Sequence, residues 1–193
     1  MRENRTAFVL AGGRSSRMGE DKALLTFGDQ RLVERMLGVA GSVAPNVFIV
    51  GSKERYSSFG ATVEDIYIGC GPLAGIHAAL SATCTEMNLM LSVDMPLMTG
   101  AFLSWLVQQA EVTRELVIVP DAAGGQQPLC AIYRRQTLSA VADALRRGEY
   151  KIGRLFSRVP TRIIGEQEIV AAGFSPEIFR NINTPEEYAQ CQP

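Results

Sequence analysis

Short apolar runs rich in β-forming residues, at 6–10, 47–50, 88–93 and 116–119, alternate along this chain with longer stretches of helical period. That rhythm restricts the fold more than any other feature. Parallel strands need long crossover connections, and helices supply them. Helices are expected at 31–43, 73–82, 100–110 and 136–147. In the first of these, Leu32, Met36, Val39 and Val43 share a face, while Arg31, Glu34 and Arg35 can stay in water. Residues 120–127 read as a polar, glycine-containing loop and 128–133 as a further strand, reversed or at an edge. Thr184, Pro185 and Glu187 fit the N-cap, first helical position and capping box of a last helix beginning at about Pro185. The expected architecture is α/β: a Rossmann-like α/β/α sandwich of three layers around a mostly parallel sheet with one reversed strand. No repeat, low-complexity tract or linker interrupts the order, so residues 1–193 are expected to form a single domain.

The first apolar run leads into LAGGRSSRMGEDK, residues 10–22. Gly12 and Gly13 leave main-chain N–H groups open to a ligand, as in an anion-binding turn. Arg14, Arg17 and Lys22 then bring three cations within nine residues, enough to hold a polyphosphate. A Walker A loop is excluded, because Gly19 is followed by Glu20, Asp21 and Lys22 and then by Ala23 rather than Ser or Thr. The dinucleotide pattern GxGxxG fails too, since the glycines stand at 12, 13 and 19. A nucleoside triphosphate is the expected ligand.

The formal net charge of −1 argues against a broad surface for nucleic acid, so the basic turn reads as a local anion site. Cys70, Cys84, Cys130 and Cys191 form no CxxC pair and do not cluster with the lone histidine, which excludes a zinc or thioredoxin-type motif and suggests reduced thiols. The first residues lack a signal-peptide core, and no stretch reaches the ~20 apolar residues a bilayer requires. A soluble, cytoplasmic protein without a membrane partner is expected.

In open α/β sheets ligands bind beyond the carboxyl ends of the strands, where loops converge. Asp94 follows the apolar run 88–93 directly and should share that rim with the basic turn. A carboxylate there is a ligand for Mg²⁺, which takes one or two carboxylates beside substrate phosphates. Read in isolation, Asp94-Met95-Pro96 would instead suggest a turn cap. The glycines of 69–75 could admit a base or ribose, or could serve loop geometry alone, and Asp65 just before them is a weaker site candidate. His77 lies in an apolar helical stretch with no nucleophile near it in sequence, and reads as structural.

Taken together, LAGGRSSRMGEDK, GPLAG at 71–75, VDMP at 93–96, QPLCAIY at 127–133 and NINTPEE at 181–187 resemble the molybdenum cofactor guanylyltransferases, the MobA family, over nearly the whole chain. The resemblance implies a fold of the nucleotide-diphospho-sugar transferase type, with an N-terminal part for the NTP and a C-terminal part for the acceptor. It implies transfer of GMP from GTP to Mo-molybdopterin with Mg²⁺, and transient contact with molybdopterin-delivery proteins or molybdoenzyme chaperones. By motif position, Leu10, Ala11, Gly12, Gly13 and Gly19 would line the GTP, and Lys22, Asp65 and Asp94 would contact it. Asp94 would also ligate the metal, and Arg17 would stabilise charge at the transferring phosphate. Asn181 and Asn183 would meet the pterin side, unless Asn183 and Thr184 simply cap the last helix. After residue 50 the chain reads Gly51-Ser52, where some members carry an asparagine, so that base contact would fall to Ser52 or the backbone. Related cytidylyltransferases typically carry LAAG at the first loop, and Gly12 favours the guanylyl reading. A CTP-dependent relative and a non-enzymatic nucleotide-binding regulator are the rival expectations.

Overall fold

A computed structural model describes residues 4–12 and 21–191, so the expectations on Gly13, Arg14, Arg17 and Gly19 lie outside the described residues. The chain runs β1 (Arg5–Leu10), β2 (Thr26–Phe27), β3 (Gln30–Arg31), α1 (Leu32–Gly41), β4 (Asn46–Val50), α2 (Lys53–Tyr56), β5 (Thr62–Val63) and α3 (Pro72–Ser81). It continues through β6 (Met87–Ser92), α4 (Gly100–Glu111), β7 (Val117–Ala122), β8 (Gly125–Gln126), β9 (Cys130–Arg134), α5 (Leu138–Arg146) and α6 (Gly153–Phe156). The last elements are β10 (Thr161–Gly165), α7 (Glu166–Ala171) and α8 (Pro185–Cys191).

The main sheet has the order β10-β7-β9-β6-β1-β4-β5, with β8 paired to β7. β1 runs parallel to both β4 and β6, and β9 is antiparallel to β6 and β7. The reversed strand expected over 128–133 is therefore β9, at Cys130–Arg134, and it lies inside the sheet rather than at its edge. Residues 120–127 depart from the loop reading: β7 runs on through Pro120 to Ala122 and turns into β8. Pro120 stands past the last β7–β9 pair, Ile118 with Ile132, so its missing N–H costs no bond in that ladder.

Alternation along each strand sends successive side chains to opposite faces. Ala7, Val9, Leu89 and Leu91 join the core under α1 and α4, whereas Phe8, Leu10 and Met90 join the core under α3 and α5. In α1 the buried residues Leu32, Val33, Met36 and Ala40 recur at helical spacing, which is why this segment lies on the sheet. Helices thus cover both faces and form the outer layers. Starting from central β1, the chain goes to β4 on one side and afterwards to β6 on the other, so the crossovers part at the carboxyl ends of β1 and β6.

Candidate active site

The pairing register sets the rim. Leu10 is opposite Ser92, and the Val93 N–H donates to the Leu10 carbonyl at 3.1 Å. Gly12 and Asp94 each follow their strand's last paired residue by two positions, and so leave the sheet side by side. A cleft of about 610 Å³ opens here between Leu10, Gly12, Asp65, Gly71, Gly75 and Ser92. Its floor depends on Gly75: a β-carbon there would stand 3.0 Å from Leu10 Cδ2 and 3.7 Å from Asp65 Oδ1. At Gly12, by contrast, a β-carbon would meet nothing closer among the described residues than the Val50 carbonyl at 3.9 Å. Partial burial at the cleft wall raises the Asp65 carboxyl above its ordinary value.

Lys22 and Asp94 do not line this cleft; both are tied to the C-terminal segment beside α8. The Ile182 N–H donates to the Asp94 carbonyl at 2.9 Å, and Lys22 Nζ donates to Asn183 Oδ1 at 2.8 Å. The Asn183 side chain therefore does not cap α8. That work falls to Thr184, whose hydroxyl accepts from the Glu187 N–H at 3.2 Å while Glu187 Oε2 accepts from the Thr184 N–H at 3.1 Å. Asn181, two residues before Asn183, is half-buried.

Asp94 is not a helix cap either. Thr99 caps α4, its hydroxyl accepting from the Phe102 N–H at 3.2 Å. Asp94 Oδ1 is buried and meets no hydrogen-bond donor among the described residues. An oxygen left this way suits a hard cation. No group of three or more His, Cys, Asp or Glu side chains gathers among the described residues. An ion at Asp94 would then take most of its oxygens from phosphates and water, which fits Mg²⁺.

Ala11 also serves the loop internally. Its N–H donates to the Val50 carbonyl at 3.0 Å and its carbonyl accepts from the Tyr56 hydroxyl at 3.1 Å, so its polar groups are engaged within the protein. Tyr56 was not among the expected site residues, because a lone tyrosine in a four-residue helix carries no pattern. Ser52 starts that helix, and Gly51 packs against the Tyr56 ring. His77 has a buried Nδ1 without a partner among the described residues, makes an edge contact with the Tyr67 ring and is pushed below its ordinary pKa by burial.

The mostly parallel sheet with its reversed β9 and the cleft at its switch point coincide with a family match: the MobA-like NTP transferase domain matches residues 7–163, which makes the chain a nucleotidyltransferase. A protein of Pelotomaculum thermopropionicum named "Probable molybdenum cofactor guanylyltransferase" is 33% identical, over 97% of this chain and 91% of its own. One of the same name from Nostoc sp. is also 33% identical, over 98% and 91%. The chain belongs to the molybdenum cofactor guanylyltransferase family. The crystal structure of molybdopterin-guanine dinucleotide biosynthesis protein A from Archaeoglobus fulgidus shares the fold, with a TM-score of 0.84, 23% identity and coverage of 97% of this chain and 96% of that one. No helix among the described residues is long and apolar enough to cross a membrane.

Proposed function

We propose that the protein transfers GMP from GTP to the phosphate of Mo-molybdopterin, forming the guanine dinucleotide and releasing pyrophosphate. The observation that carries this reading is the pairing of Lys22 with Asn183, which joins the nucleotide loop to the segment read as acceptor-binding. Gly12 and the cleft beside Asp65 and Gly75 receive the nucleotide. Lys22, which reaches Asn183 here, brings its ammonium to the triphosphate, and Arg17 adds charge from the same loop. Asp94 Oδ1 holds Mg²⁺, which when bound supplies a concentrated positive charge to the phosphates. The acceptor phosphate attacks the α-phosphorus in line; the new P–O bond forms as the bond to pyrophosphate breaks. Because the acceptor is already ionised, no side chain has to take a proton, and His77 stays outside the chemistry.

The test is incubation with each NTP in turn, Mg²⁺ and molybdopterin, with detection of pyrophosphate and of the dinucleotide. GTP should support turnover at least about tenfold above CTP, the discrimination that one or two base hydrogen bonds provide. Equal turnover with CTP would remove the guanylyl assignment, and no pyrophosphate with any NTP would remove the transferase reading of the site.

A further inference from the structure

Tyr56 is 3% exposed, and its hydroxyl stands between the two ends of the basic loop. On one side it donates to the Ala11 carbonyl at 3.1 Å, and on the other to Asp21 Oδ2 at 2.7 Å. Ala11 immediately precedes Gly12, and Asp21 immediately precedes Lys22. A phenol has one proton to donate, so the two acceptors share it, and the shorter, charge-assisted bond to Asp21 dominates. Asp21 is held from further sides. Its Oδ1 accepts from the Ala23 N–H at 3.1 Å, capping the turn Lys22–Leu24, and the Arg55 guanidinium lies 3.2 Å from Oδ2.

Two further observations single out this arrangement. A β-carbon on Gly51 would lie 2.8 Å from Tyr56 Cε2, so the ring can hold this place only because residue 51 is glycine. Burial and the adjacent Asp21 carboxylate both raise the Tyr56 phenol above its ordinary value, which keeps it a donor throughout the neutral range. An apolar ring would fill the same space; the hydroxyl is what reaches both ends of the loop.

We propose that Tyr56 is a positioning residue: through Asp21 and Ala11 it sets where Lys22 stands relative to the Gly12 backbone, and thereby aligns the triphosphate for transfer. This rests on the nucleotide-transfer reading above. The Tyr56 hydroxyl acts through Asp21 and Ala11 rather than on the reacting atoms. Its contribution is geometric, and displacements of about 1 Å at reacting groups cost up to about 100-fold in rate.

The experiment compares wild type, Tyr56→Phe, Lys22→Ala and the double variant by pyrophosphate release at varied GTP, with thermal melts alongside. Tyr56→Phe keeps the ring beside Gly51, so its melting temperature should stay close to wild type while kcat/KM for GTP falls about tenfold. In the Lys22→Ala background the same change should cost less than about twofold, because the group it positions is gone. Should Tyr56→Phe melt below the assay temperature, Asp21→Asn, alone and with Lys22→Ala, gives the same comparison from the other end of the bond. Unchanged kcat/KM in Tyr56→Phe, or a tenfold loss that persists without Lys22, overturns the clasp while leaving the transferase reading in place. Absence of pyrophosphate release from the wild type overturns both.

Discussion

Asp94 Oδ1 is buried and meets no donor among the described residues, and such an oxygen costs stability until a cation reaches it. Asp94→Ala should therefore leave the melting temperature unchanged or slightly higher while Mg²⁺-dependent transfer falls by at least ~10²–10³-fold, the range for losing one electrostatic stabiliser of the transition state. Magnesium titration of pyrophosphate release in the two proteins checks this, and wild-type turnover in the variant would take Asp94 out of the mechanism. Its position is legible in the sequence because it ends an apolar run directly, while the choice against capping rests on Thr99, which caps α4 from five residues further on. Asn183 was less legible. Whether an asparagine before a Thr-Pro helix start caps that helix or looks outward depends on a partner 161 residues away in sequence, Lys22. The engagement of the Ala11 N–H by Val50 likewise belongs to strand pairing that no local pattern reports.

Among the elements, α3 bears most directly on the cleft, since Gly75 sits on Leu10 and His77 is on the same helix. Burial holds the His77 imidazole below its ordinary pKa, so below about pH 6.5 the unfolded chain takes up a proton that the folded protein resists. Stability from this group is full above that pH and is lost as pH falls through the folded value. Asp65 acts in the opposite sense, because its raised carboxyl binds a proton more readily in the folded state. Comparing wild type with His77→Gln separates the two: between pH 7 and pH 5.5 the melting temperature of the wild type should fall more than that of the variant. Parallel profiles would show that His77 does not titrate with folding. The long helices were legible from their period, with ends off by one or two residues where caps and turns decide. Two-residue strands such as β5 and β8 were not, because pairing partners create them and so short a run has no period to read. Pro120 misled in the same way, since only its place beyond the β9 ladder makes a proline harmless there.

For the molecule as a whole, the central position of β1 couples the two cores. Ala7 and Val9 pack into one and Phe8 and Leu10 into the other, with β6 dividing its side chains the same way through Leu91 and Met90. Alternating strands and crossover helices made the layered sheet legible from sequence, but the strand order comes from long-range pairing, and that order creates the switch point where the cleft opens. Because one strand feeds both cores, they should melt together. Trp105, the lone tryptophan, packs against the core under α1 and α4, whereas Phe8 is fully buried in the other and stacks on Phe48 at 5.6 Å. Phe8→Ala removes packing worth roughly 3–5 kcal/mol. At about 2–4 °C per kcal/mol for a chain of this size, the transition should drop by about 10 °C. The decisive reporter is Trp105 fluorescence, which lies across the sheet from the substitution. If the cores are coupled through β1, the fluorescence transition falls together with the far-ultraviolet circular dichroism. If Trp105 keeps its wild-type midpoint while helical signal is lost early, each face of the sheet unfolds by itself and β1 does not transmit stability between them.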